Sequence, residues 1–397
     1  MSIRERKWVS GGAEKTAWVV DYFDQNGKRH IKTFQKKKDA RDFDAGTRIQ
    51  VKDKIHVADR DTVTITAAGK LWYDACVGAG LEVSTTKQYE QHLRLHINPF
   101  LGTVRLNEMT VPKVRQFLDD LRDNGRSPAM QRAVRVSLGA LLSDAQERGL
   151  VVRNPVKEMG RGKARSRSAA RHEEPVVVGV DLPFPEEIRQ VMPTLTGKTR
   201  VFWMTAIFTG MRSSELRGLR WRDIDFKGAE INVSQRANMW KAMGSPKTKA
   251  GRRTIPLVEH LVKALTDWRQ ECPKGDPDLD LVFPTGIGTV EDHNNIVTRW
   301  YQPHWVAVGL TKPSSKLDKD GKPIMQAKYT GLHALRHFYA SWCINTPADG
   351  GLGLSAKVVQ DRMGHSSIQV TLDTYSHLFK KAGTGEAMNS AAAALLG

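Results

Sequence analysis

The spacing of apolar and polar positions changes character several times along the chain, and each change marks a different kind of element. In residues 1–60 the runs "TAWVVDYF" and "HIKTF" read as strands, and "DQNGKR" between them contains Asn26-Gly27, a strong hairpin signal. Trp8 in "RKWVS" fits a third strand, and the charged run from Lys36 fits a helix. Residues 61–156 keep helical spacing almost throughout. "TAAGKLWYDACVGA" is one helix, and "STTKQYEQHLRLHINPFLG" is another, expected to start on a capping serine or threonine. Pro112 and Pro128 follow Thr110 and Ser127 and mark two further starts, because a missing N–H costs little in a first helical turn. Val134, Leu138, Leu141 and Leu142 form the core stripe of the last of these helices, which ends at Gly149. Lys87, Arg94, Arg132 and Arg135 fall on faces expected to be exposed.

The periodicity then breaks. Residues 157–180 are rich in Gly, Ser, Ala and Arg with little to bury, which is a linker signature, and their basic side chains suit a phosphate backbone. From residue 181 to 397 helical and strand patterns mix. "PFPEEIRQVMPTL" and "KTRVFWMTAIFTG" are helices, the second apolar enough to be central to a core. "EINVSQ" and "RRTIPL" are short strands flanking a hairpin connection, "ANMWKAMGSPKTKAG". "LVEHLVKALTDWRQEC" and "NNIVTRWYQPHWVAVG" are further helices, and "KLDKDGKPIMQAKYTG" is a loop or hairpin turning at Asp320-Gly321. The fold class expected is therefore multidomain: a small β-sheet-plus-helix N-terminal domain, an all-α domain, and an α+β, mainly helical C-terminal domain.

Composition narrows the partner. A chain of 397 residues is long enough for two or three domains, and a formal charge of +18 asks for a polyanion. No apolar run approaches the ~20 residues of a membrane-spanning helix, and "MSIRERKWVSGG" has no apolar signal core. Three scattered cysteines (Cys76, Cys272, Cys343) build neither a disulfide framework nor a metal knuckle. Nucleic acid in a reducing, cytoplasmic setting is the expected partner, and a membrane is not.

The candidate chemistry gathers towards the C-terminal end. Arg212 in "TGMRSSEL" lies in the turn before a helix, with Glu215 three residues on, placed to bond backbone N–H groups or hold a neighbouring side chain. Taken alone, Arg212 reads as a surface arginine at a helix start. In "HALRH", His333 and Arg336 share a helix face. His337 invites a metal reading with His333, but Ala334 stands where a zincin has glutamate, and Phe338 and Tyr339 suggest that His337 points to the core. Gly364 closes a helix before His365, and Tyr375 lies on a helix expected to begin near Thr371. Alone, His365 reads as a satisfied polar histidine and Tyr375 as a packing residue. A phenol of pKa about 10 is a poor nucleophile unless its neighbours take a proton and neutralise charge.

In order along the chain, "TGMRSSEL", "PKTKAGRRTIPL", "HALRH", "MGH" and "TLDTYSH" resemble the tyrosine recombinase (phage integrase) family. The resemblance implies an arm-type DNA-binding domain at 1–60, a core-binding domain at 61–156, a basic linker at 157–180 and a catalytic domain at 181–397. It implies Tyr375 as nucleophile, Arg212 and Arg336 as the pair gripping the scissile phosphate, His333 as the proton-handling histidine and His365 as the second histidine on the phosphate. Lys247 is implied as the acid for the leaving oxygen, with Lys249, two residues on along the same side of a strand, as the alternative. Glu215 takes a supporting position. The reaction expected is strand cleavage through a 3′-phosphotyrosyl bond, with no cofactor and no metal. The partners expected are double-stranded attachment sites, a homotetramer on two such sites, and accessory bending or excision-directing proteins. The tail after Phe379 is expected to dock on a neighbour. Rival readings are a type IB topoisomerase, a non-catalytic DNA-binding regulator and a metal-dependent nuclease.

Overall fold

The computed structural model describes residues 2–10, 13–53, 56–58, 62–161, 176–379 and 393. The chain forms two compact units, Met1–Ala170 and Arg171–Gly397. The expectations for the tail after Phe379 and for the middle of the linker, residues 162–175, lie outside the described residues.

In the first unit, strands Ser2–Ser10, Ala13–Phe23 and Arg29–Phe34 form an antiparallel meander. Trp8 lies on its first strand, opposite Lys15. Gly27 turns the second hairpin at φ 77°, a conformation open to glycine at little cost. Helix Lys37–Lys52 covers one face, with Val20, Tyr22 and Ala40 buried between them. The helical part has its own core, in which Val134, Leu138, Leu141 and Leu142 of helix Pro128–Glu147 are fully buried. The hydroxyls of Thr110 and Ser127 cap their helices by accepting from Lys113 N and Met130 N.

One helix start differs from expectation. It begins at Val83 rather than on a serine or threonine, because the N–H groups of Thr85 and Thr86 already bond the Glu82 carbonyl. This helix then widens into a π turn over Leu93–Ile97 just ahead of Pro99. Proline lacks an N–H, and its ring crowds the carbonyl four residues back, so the ladder must open there. The second unit repeats the device over Ile296–Tyr301, ahead of Pro303.

The linker is structured at both ends. Helix Pro155–Arg161 runs into it. Val176 is buried in the core of the second unit, where its carbonyl accepts from His377 Nε2 at 2.7 Å. In that unit, helix Gly197–Thr209 is buried on nearly every face, from Val201 to Ile207. Around it lie helices Pro185–Val191, Glu259–Glu271, His333–Ile344 and Ala356–Met363. A three-stranded antiparallel sheet, Ile224–Asp225, Glu230–Val233 and Arg253–Pro256, packs Ile231 against Ile255. Its last two strands are joined through a small hairpin, Arg236–Ala237 with Met243–Gly244. Thr311–Leu317 and Pro323–Ala327 pair as a hairpin with Gly321 at φ 75° in its turn. The final helix is Ile368–Tyr375, three residues longer than expected. Thr371 does not cap it, because its side chain is buried inside the helix and bonded to His365.

Gly210 ends the central helix at φ 58°, and a Cβ there would fall 2.3 Å from the buried ring of Tyr339. Gly210→Ala is expected to destabilise the second unit by ~2–4 kcal/mol, through left-handed strain and overpacking together. Urea unfolding of the intact chain checks this, and an unchanged midpoint contradicts it.

Candidate active site

The site is built where two helices end. Helix Gly197–Thr209 stops at Gly210, and helix Ala356–Met363 stops at Gly364, φ 63°. The last carbonyls of a helix lack intrahelical partners and carry partial negative charge. Arg336, only 3% exposed, bridges the two ends. Its Nη1 donates to Gly210 O and its Nη2 to Met363 O, each at 2.5 Å. Arg212 precedes helix Ser213–Arg217 and donates from Nη2 to Gly364 O at 3.1 Å. Backbone carbonyls thus hold Arg336 and one arm of Arg212, and carbonyls carry only partial charge to set against a guanidinium.

Among the described residues, the buried carboxylate in contact with this group is Glu215, 2% exposed. Its Oε2 accepts from the Arg212 backbone N–H at 2.8 Å and its Oε1 from Arg212 Nη1 at 2.9 Å. Arg253 adds Nη2 to Oε2 at 2.9 Å and Nη1 to Oε1 at 3.2 Å, and is itself anchored by Nε donating to Arg362 O at 2.7 Å. Burial alone would raise this carboxyl, but Arg253 and Arg212 outweigh it and hold it at about 2. Burial, and then the charges of Arg212 and Arg253, push Arg336 down to about 9. Arg253 was not singled out from the sequence. The available signal was its strand: Ile255 is core, so Arg253 two residues before it shares the buried face, and a buried guanidinium needs an acid.

Tyr375, 2% exposed, lies among the histidines. The His365 ring stacks almost parallel to it, with centroids 6.4 Å apart and planes at 9°, and His365 Nδ1 lies 2.8 Å from the Thr371 hydroxyl. His333 begins helix His333–Ile344, its ring 4.8 Å from that of His337 and nearly perpendicular. His337 corrects the reading made from sequence: it does not point into the core, because its Nδ1 is 2.6 Å from the Tyr375 hydroxyl. Tyr339 takes the core position, while His337, one turn after His333, stays on the side of the site. Desolvation first, then neighbouring positive groups, holds all three histidines below the ordinary range. His333 is lowered, His337 falls to about 4 and His365 to about 3. At neutral pH each is uncharged.

The structure thus brings Arg212, Glu215, Arg336, His365 and Tyr375 together with His333, and adds Arg253 and His337. Neither lysine joins them through a hydrogen bond or an ion pair. Both Lys247 and Lys249 are exposed, and neither is on a strand. The chain bends there because Arg252 N bonds Lys249 O and Gly251 closes over the buried ring of Pro246. Among the described residues no group of three His, Cys, Asp or Glu is placed to hold a metal ion, and no helix is long and apolar enough to cross a membrane.

Glu215 links this geometry to stability. Its folded pKa near 2 lies below its ordinary 4.5, so its contribution is complete above pH 4.5 and is lost as pH falls towards 2. At about 1.4 kcal/mol per unit, the contribution at neutral pH is ~3 kcal/mol. Glu215→Gln is expected to lower stability by that order at pH 7, and its deficit should narrow below pH 4.5. Urea midpoints measured across pH check the sign.

A model of the phage integrase family matches residues 185–382, and one of the phage integrase N-terminal SAM-like domain matches residues 69–122. A XerC-like tyrosine recombinase of Caldanaerobacter subterraneus subsp. tengcongensis is 25% identical over 387 residues, 91% of either chain. The Tn1549 transposon integrase in complex with transposon right-end DNA superposes with a TM-score of 0.61 at 21% identity, covering 84% of this chain and 100% of that one. A lambda integrase tetramer bound to a Holliday junction superposes at 0.53 and 17% identity, covering 91% and 95%. The multidomain fold is that of these integrases, and the chain belongs to the phage integrase family of tyrosine recombinases.

Proposed function

We propose that this chain is a site-specific DNA recombinase that integrates and excises a mobile genetic element through a covalent phosphotyrosyl intermediate. The observation that carries the reading is a tyrosine hydroxyl hydrogen-bonded to a histidine, beside three guanidiniums of which two share one carboxylate and the third is held by backbone carbonyls. Such a cluster is short of negative charge, and a phosphodiester supplies it.

In this mechanism Arg212 and Arg336 take the nonbridging oxygens of the scissile phosphate, where charge builds in the transition state. His365 and His333, being neutral, each keep one N–H to donate there. Tyr375 attacks phosphorus in line, forms a 3′-phosphotyrosyl bond and displaces the 5′-oxygen. Lys247, whose ammonium can give up a proton, protonates that oxygen, while the arginines stay charged to hold the phosphate. The covalent bond conserves the phosphodiester's energy, so a 5′-hydroxyl from another strand reverses the step. Glu215 and Arg253 hold Arg212 in place and are positioning residues.

The domain roles follow the same reading. Residues 1–60 are the arm-type DNA-binding domain, 61–156 the core-binding domain and 181–397 the catalytic domain, with the basic 157–180 segment between them. A formal charge of +18 suits a chain that grips duplex DNA at several places. The lambda integrase neighbour, a tetramer on a Holliday junction, supports four protomers on two attachment sites for this chain as well.

Tyr375→Phe is expected to bind attachment-site DNA as the wild type does and to form no covalent complex. An SDS-stable adduct from that variant overturns the nucleophile assignment. Lys247→Ala should slow cleavage by roughly 10²–10⁴-fold, while Lys249→Ala should not; the reverse outcome moves the acid to Lys249. Relaxation of a supercoiled plasmid lacking any attachment site would favour a topoisomerase over a site-specific enzyme.

A further inference from the structure

The proton on the nucleophile has to leave as the O–P bond forms, and the family resemblance hands it to His333. The geometry around Tyr375 points elsewhere. His337 Nδ1 lies 2.6 Å from the hydroxyl, a short hydrogen-bond distance. The His365 ring lies parallel to the phenol with centroids 6.4 Å apart, and its Nδ1 is engaged by Thr371. The His333 ring stands nearly perpendicular to that of His337, with centroids 4.8 Å apart.

We infer that His337 is the catalytic base that takes the proton from Tyr375. The inference rests on the recombinase reading above and names one more residue in its reaction. The phenol O–H donates to His337 Nδ1. As the Tyr375 oxygen forms its bond to phosphorus, the O–H bond breaks and the proton stays on Nδ1. The phosphorus–5′-oxygen bond breaks in the same displacement, and the leaving oxygen takes a proton from Lys247. On the return step the 5′-hydroxyl gives its proton back to Lys247, and the imidazolium of His337 reprotonates the phenolate. Atoms and charge balance with no further reagent.

The surroundings of His337 tie this step to DNA. His333 and Arg336 of its own helix oppose a charge on it, and so does His365 where it is protonated; Asp181 favours that charge, and the Tyr375 hydroxyl donates to the neutral ring. Without substrate the ring is a weak base. A phosphate seated on Arg212 and Arg336 adds negative charge beside it, and the developing transition state adds more. The proton affinity of His337 therefore rises where and when the proton must be taken.

The test uses a nicked suicide duplex built on the sequence at which the full-length wild-type chain forms its covalent adduct, read as single-turnover cleavage against pH. Asparagine can set an acceptor oxygen near the Nδ1 position but cannot hold the proton. His337→Asn is expected to bind the duplex within about twofold of wild type and to cleave roughly 10²–10⁴-fold more slowly. Its rate should go on climbing with pH as the phenol itself ionises, where the wild-type rate levels off earlier. His337→Gln, compared by its urea midpoint, separates loss of the base from loss of fold. Wild-type cleavage and an unchanged pH profile in both variants would overturn the assignment to His337. The same follows if His333→Asn alone acquires the steep profile. Adduct formation by wild type and not by Tyr375→Phe keeps the recombinase reading intact in either case; absence of any wild-type adduct removes both.

Discussion

Glu215 is the residue that makes an arginine cluster tolerable inside this protein. A carboxylate or guanidinium taken out of water costs several kcal/mol unless it is paired and fully hydrogen-bonded. Glu215 meets that requirement with both oxygens occupied by Arg212 and Arg253. Arg336 has no carboxylate partner in the group and is held by the carbonyls Gly210 O and Met363 O. Three guanidiniums against one carboxylate leave two positive charges without a full counter-charge. Preorganised positive charge in a desolvated place is what a phosphoryl-transfer site requires, and it is built at some expense to the stability of the empty protein.

The two glycines explain how the chain achieves this with backbone. Gly210 and Gly364 both take left-handed conformations, ending two helices so that their terminal carbonyls converge on Arg336 and Arg212. A Cβ at Gly210 would strike Tyr339, and one at Gly364 would lie 2.9 Å from Ala250 O. The helix stops in "TGM" and "MGH" are therefore part of the site's electrostatics as well as its shape, since each aims a helix C-terminus at a cation.

Much of this was legible in the sequence because it is local. The hairpin at Asn26-Gly27, the caps at Thr110 and Ser127 and the core stripe of Val134, Leu138, Leu141 and Leu142 each depend on neighbours within a turn or two. The ordered motifs located Arg212, Glu215, His333, Arg336, His365 and Tyr375. What escaped were partnerships set by tertiary packing. Arg253 pairs with an acid 38 residues away, and His337 meets a phenol also 38 residues away. The flanking Phe338 and Tyr339 made His337 look like a core residue, but a helix face turns by about 100° per residue. One step back along the helix from a core position can reach a site wall. The lysine loop was misread as strand for the opposite reason: Pro246 and Gly251 fold it into a turn that alternation of side chains does not reveal.

The histidines show why the arginine cluster matters beyond holding phosphate. Desolvation and the positive groups around them keep His333, His337 and His365 below the ordinary histidine range. A neutral imidazole has one donor and one acceptor, whereas an imidazolium has two donors and cannot take a proton. The same guanidiniums that would bind the phosphate thus keep the histidines able both to donate to it and to accept from the nucleophile. When the phosphate's charge enters, the field that disfavoured protonation weakens, and the histidines become better bases in the presence of substrate alone. In the proposed reaction this couples activation of Tyr375 to occupancy of the arginine cluster, so an unbound protein carries its nucleophile as a buried, protonated phenol.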